Sequence, residues 1–138
     1  MITIKNRLKK IKVNTKQLEL TIQKILDAAG CSDFDIGVWL TTNKTIRAYN
    51  KKYRKKDKPT DILSFPYHTN LKPGQKIVVK EQDDKNLGDI IISLEYATKD
   101  DLPVLLVHGV AHLLGYDHQT EKEYKVMQKK EQQFLAVL

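Results

Sequence analysis

LPVLLVHGVAHLLGYDH, residues 102–118, carries three of the chain's four histidines behind an apolar run. Leu102, Leu105, Leu106, Val110 and Leu113 recur at helical spacing, which predicts a core helix. Pro103 is tolerable in its first turn, and Asp100 or Asp101 is placed to cap it. Residues i and i+4 share a helix face, so His108 and His112 can aim their imidazoles at one ion. Gly115 lets the chain leave the helix through a left-handed residue, and His118 can swing back as a third ligand. Three protein nitrogens leave a fourth position open, as catalytic rather than structural zinc sites do. The stretch predicts one zinc ion per chain, at one end of a core helix.

The spacing matches the ligand pattern of metzincin peptidases, His-Glu-x-x-His-x-x-Gly-x-x-His. Gly109 stands where those enzymes carry the glutamate that serves as general base. The ligand cage survives this change and the proteolytic machinery does not.

Working outward, the rest of the chain reads as interleaved strands and helices. Residues 2–5 alternate as a short first strand. Asn14 or Thr15 can cap a helix with Leu18, Ile22, Ile25, Leu26 and Ala29 on one stripe and Gly30 as its stop. Phe34, Ile36, Val38 and Leu40 alternate with Asp35, Gly37, Trp39 and Thr41 as a strand. Thr42 opens a second helix with Ile46, Tyr49 and Tyr53 facing inward. Pro59 breaks it, and Ile62–Phe65 forms a strand ended by Pro66. Residues 67–75 form a loop, turned at Pro73-Gly74, in which His68 faces solvent. Ile77-Val78-Val79 reads as a short strand or extended edge. Asn86 to Ser93, with Ile90-Ile91-Ile92, reads as a buried strand. After the histidines, Thr120 to Glu123 resembles a capping box, and the last helix buries Tyr124, Met127, Phe134, Leu135 and Leu138. Trp39, Tyr49 and Tyr53 can stack bases, but at this spacing they read as core. The fold class predicted is mixed α+β: one domain over 1–138, a small mixed sheet flanked by helices.

Composition bounds the function. The chain has 138 residues, 41% hydrophobic and 30% charged, which suits a globular fold with a real core. No run approaches the roughly 18 apolar residues of a membrane span. The single cysteine, Cys31, cannot form an internal disulfide. It reads as an ordinary small residue beside a helix end. Met1–Lys5 lacks the order of a signal peptide, and a cytoplasmic location is expected. A net charge of +7 favours polyanionic partners. The excess is concentrated: Lys51, Lys52, Arg54, Lys55, Lys56 and Lys58 crowd around Tyr53, and a second run holds Lys5, Arg7, Lys9, Lys10 and Lys12. Such runs are either solvated faces or phosphate contacts.

Three motifs, in order, resemble the YbeY family of bacterial metal-dependent endoribonucleases that act in ribosomal RNA maturation. They are Asn50 to Pro66, with Tyr53-Arg54 and Pro59-Thr60-Asp61-Ile62-Leu63-Ser64-Phe65-Pro66; Leu87-Gly88-Asp89-Ile90; and His108 to His118. The resemblance covers most of the chain from Trp39 to His118. It implies zinc held by His108, His112 and His118, a functional arginine at Arg54, a cleft beside the metal and RNA as substrate. The segment between Asp89 and His108 is shorter than the family usually has, which predicts a trimmed helix there.

The implied chemistry is phosphodiester cleavage. It builds negative charge on nonbridging oxygens, and Arg54 is the candidate to stabilise it. No residue within the motif replaces the missing glutamate. Asp117 and Asp61 are candidates for proton transfer, and each can equally orient a ligand or turn the chain, as can Asp89. The RNA 2′-hydroxyl can itself be the nucleophile, so a dedicated base is not obligatory. The leading expectation is a zinc-dependent, single-strand-selective endoribonuclease of ribosomal RNA maturation and ribosome quality control. Its partners would be ribosomal RNA and the small ribosomal subunit. The alternatives are a ribosome-assembly factor with a mainly structural zinc and another zinc hydrolase such as a peptidase, which Gly109 disfavours.

Overall fold

Ile90, Ile91 and Ile92 form the middle of a strand that is buried on both faces, and the fold is organised around it. The computed structural model describes residues 1–138. Its elements are β1 (Ile2–Asn6), α1 (Thr15–Ala28), β2 (Asp35–Thr41), α2 (Asn43–Arg54), β3 (Ile62–Pro66), β4 (Asn86–Ser93), α3 (Leu102–Leu113) and α4 (Glu121–Leu135). The sheet order is β1-β2-β4-β3. β1, β2 and β4 run parallel, and β3 pairs antiparallel to β4, with Ser64 opposite Ile90. This is the mixed sheet flanked by helices that the element order predicted.

Alternation along β4 sends its isoleucines to different layers. Ile90 and Ile92 join the main core with Val38 and Leu40 of β2, Ile22, Ile25 and Leu26 of α1, and Leu106 and Val110 of α3. Ile91 faces the other way and packs with Ile46 of α2 and Leu63 of β3. Ile22, Ile25 and Leu26 are wholly buried, and each such side chain contributes roughly 1.5–3 kcal/mol. α4 then closes over α3, with Met127 on Ala111 and Tyr116.

Local chemistry sets the helix ends. Asn14 accepts the Gln17 N–H, Thr42 accepts that of Thr45 and Thr120 accepts that of Glu123. Asp101 does not cap α3 as expected. Its carboxylate accepts from the Thr98 backbone N–H and hydroxyl, closing the 3-10 turn Lys99–Asp101 that leads into the helix. That turn is the only helical piece between β4 and α3. Cys31 is buried just after α1, and desolvation pushes its thiol up.

Some sequence expectations fail. Ile77-Val78-Val79 forms no strand: Val78 and Val79 are exposed, and no sheet edge receives them. Tyr49 and Tyr53 do not face the core, because α2 turns only Ile46 and Asn50 fully inward. Trp39 is only partly buried, on the face of β2 opposite the main core. Tyr124, Leu135 and Leu138 are exposed, since the contact of α4 with its neighbours is a narrow stripe through Met127 and Phe134. His68 does not project into solvent: its Nε2 lies 2.8 Å from the Asp84 carbonyl.

Candidate metal centre and its cleft

The C-terminal turn of α3 presents His108 and His112 on one side, and the chain then reverses. Gly115 makes the reversal at φ +95°, where a Cβ would collide with the Leu71 carbonyl. The turn carries His118 back to the helix. One ring nitrogen from each of His108, His112 and His118 lies within 4.8 Å of the others. The His108 and His112 Nε2 atoms are 3.1 Å apart. Nitrogens bound tetrahedrally at about 2.0–2.1 Å from zinc stand about 3.4 Å from one another, so the donor set fits such an ion. These three histidines form a group that can hold a metal ion.

Burial pushes the His112 imidazole down from 6.5 to about 4, and the neighbouring His108 and His118 add to the shift against the pull of Asp117. The ring is therefore neutral at pH 7, the state that coordinates metal. Glu131 of α4 approaches His108 from behind, with Oε2 3.4 Å from Nδ1. A carboxylate there favours the proton on Nδ1 and leaves Nε2 as the donor toward the other rings. Sequence reasoning missed Glu131. It lies 23 residues from His108 on a polar helix, and only the packing of α4 on α3 brings it close.

The histidines sit in a cleft of about 740 Å³ whose opposite wall is built by β3 and the turn after α2. Arg54 is on that wall and donates from Nη2 to the Ser64 carbonyl at 2.8 Å. This spends one of the five N–H donors of a guanidinium. Buried Asn50 donates from Nδ2 to the Lys58 carbonyl at 2.9 Å and accepts the Lys56 N–H on its own carbonyl, so the basic turn is held against the helix. The turn carries Lys56 and Lys58 into the cleft, and His68 lines it from the loop after β3. Lys55 closes α2 in the left-handed region at φ 58°.

The expected acid–base residues are also at this cleft. Asp61 lines it, with its side chain accepting from the Thr60 hydroxyl at 3.3 Å. Asp117 lines it too, and its carboxylate accepts the His118 backbone N–H at 2.8 Å. Asp89 is elsewhere: it is exposed on the α2 side of the sheet and accepts from the Trp39 indole N–H at 3.4 Å. Gly109 lies buried against the sheet, where a Cβ would stand 2.7 Å from Ile90 Cδ1. One position after His108 thus points into the core, and a glutamate has no room there.

The family model of Endoribonuclease YbeY matches residues 3–138. The chain belongs to the YbeY family. The YbeY endoribonuclease of Homo sapiens is 36% identical over 99% of this chain and 87% of its own length. That of Aquifex aeolicus is 37% identical over 88% of this chain and 84% of its own. Among solved structures, a target protein from Thermotoga maritima, determined in solution, has a TM-score of 0.54 at 22% identity, covering 99% of this chain and 90% of that one. That last likeness concerns the fold alone. The first two are named endoribonucleases.

Proposed function

We propose that this chain is a zinc-dependent, single-strand-selective endoribonuclease of ribosomal RNA maturation and ribosome quality control. It would act in the cytoplasm on ribosomal RNA at the small ribosomal subunit. One observation carries the reading: three imidazole donors within 4.8 Å of one another open onto a cleft that also holds Arg54, Lys56 and Lys58. A metal-ligand group facing cationic side chains suits a phosphodiester better than a peptide, because charge builds on phosphate oxygens during cleavage. The buried Gly109 supports the same choice, since it leaves no place for the base that zinc peptidases use.

His108, His112 and His118 would hold the zinc. When bound, zinc supplies Lewis acidity toward a phosphoryl oxygen and lowers the pKa of a water. Arg54, steadied by the Ser64 carbonyl, directs its remaining N–H donors at the charge that builds on the nonbridging oxygens. Lys56 and Lys58 hold the flanking phosphates as point charges. Asp117 and Asp61 are the carboxylates within the cleft that can move a proton. Single-strand selectivity is part of the proposal, and the annealed control below tests it.

The test compares wild-type protein, Arg54→Ala and His108→Ala on a single-stranded ribosomal RNA fragment and on the same fragment annealed to its complement. Wild type cuts the single strand, His108→Ala cuts neither, and Arg54→Ala loses about 10²–10³ in kcat. Equal activity in all three proteins would refute the assignment.

A further inference from the structure

The sheet has a second concave surface, away from the histidines. Between α2 and the adjoining strands lies a groove of about 370 Å³ walled by Trp39, Tyr49, Tyr53, Phe65, Asp89 and Ile91. Tyr49 and Tyr53 are 40% and 53% exposed. Their rings stack at 6.0 Å, and Tyr53 meets Phe65 edge-on at 5.3 Å. An exposed cluster of aromatic rings of this kind marks a binding surface.

The surroundings identify the occupant. Lys5 Nζ lies 4.9 Å and Arg7 Cζ 5.8 Å from the Trp39 ring centre. Lys52 Nζ lies 5.2 Å from the Tyr53 ring, and Arg54 Cζ lies 5.9 Å from the Phe65 ring. The two basic runs of the sequence, far apart along the chain, thus meet on opposite rims of one aromatic floor. Flat rings take base faces, and rim cations take phosphates. The lone carboxylate, Asp89, offers an acceptor to the amino or imino groups of a base edge. A basic protein segment would meet like charges on both rims.

The groove adjoins the cleft. Arg54 lines the histidine side, and its Cζ lies near the ring of Phe65, which walls the groove. Only the edge strand β3 separates the two, and no further strand lies beyond it. We propose that this groove is a stacking subsite for unpaired RNA nucleotides that flank the cleaved position, reached by a strand that passes over the edge of β3. The inference rests on the RNA-cleaving reading of the cleft and adds a second contact area to it.

Trp39 is the only tryptophan in the chain, so its emission reports on this groove alone. The experiment titrates zinc-loaded protein with a cleavage-resistant 2′-O-methyl oligoribonucleotide carrying a fluorescent end label, following Trp39 emission and label anisotropy together. Saturable quenching of Trp39 by the single strand, absent with the annealed duplex, is the expected result. Tyr49→Ala should weaken binding about 5- to 150-fold. An anisotropy rise with unchanged Trp39 emission, as a protein-docking face would give, overturns the proposal, and so does equal affinity in Tyr49→Ala. Cleavage of the unmodified single strand, measured separately, without quenching by the analogue would remove the groove and leave the cleft's function standing; quenching without such cleavage would do the reverse.

Discussion

His112 and Glu131 show how single side chains set the metal centre. The lowered pKa of His112 has a thermodynamic consequence. Between pH 6.5 and about 4 the unfolded chain binds a proton there that the folded chain does not, so stability rises with pH across that window. The thermal midpoint of metal-free protein is expected to fall as pH drops from 6.5 toward 4, and His112→Gln should flatten that part of the profile. An unchanged slope would show that the ring is not desolvated in the fold. Glu131 acts on the ring behind the metal. Removing a carboxylate from a ligating histidine costs about 10–100-fold in metal affinity, and Glu131→Gln should do so in competition with a chromophoric chelator. The folded content of the metal-free variant should match wild type by circular dichroism.

At the scale of elements, α3 depends on Gly109. A glutamate there, imitating the peptidase motif, would bury a carboxylate against Ile90 and Ile62. Gly109→Glu is expected to lose about 3 kcal/mol or more of stability, measured by urea denaturation, and to gain no peptide cleavage. Elements with strong periodicity were legible from sequence alone. α1 and α3 bury the stripe their spacing marks, and β4 is the buried strand its isoleucines predict. The three histidines were legible for the same reason, since helical geometry and one glycine turn bring them together. What the sequence hides is partner choice. Tyr49 and Tyr53 look like the inner face of α2, but the sheet beneath is already covered by Ile46, Leu63 and Ile91. Ile77 to Val79 has strand composition and no neighbouring strand to pair with. Glu131 reaches His108, and His68 the cleft, through tertiary packing that no local spacing encodes.

For the whole molecule, the net charge of +7 includes cations on both rims of the groove and in the cleft. Binding to single-stranded RNA should therefore weaken steeply with salt, with a log–log slope near −0.7 for each phosphate neutralised. Arg54→Ala should reduce that slope by about one contact. No helix is long and apolar enough to cross a membrane. The candidate ligands lie on α3 and on the turn that follows it, so a bound metal would tie those segments together. Zinc at about one hundred times its Kd should stabilise the fold by about 2.7 kcal/mol. Chelation should reverse the gain, as a drop in thermal midpoint that His112→Ala does not show.

The most direct measurement is cleavage of a single-stranded ribosomal RNA fragment by metal-stripped protein as zinc is added back in known ratio to the chain. Activity is expected to climb linearly, level off at one zinc per chain, and stay absent in His112→Ala at every ratio. Cleavage by stripped protein that zinc does not increase, or undiminished cleavage by His112→Ala, would contradict a catalytic metal held by these three histidines.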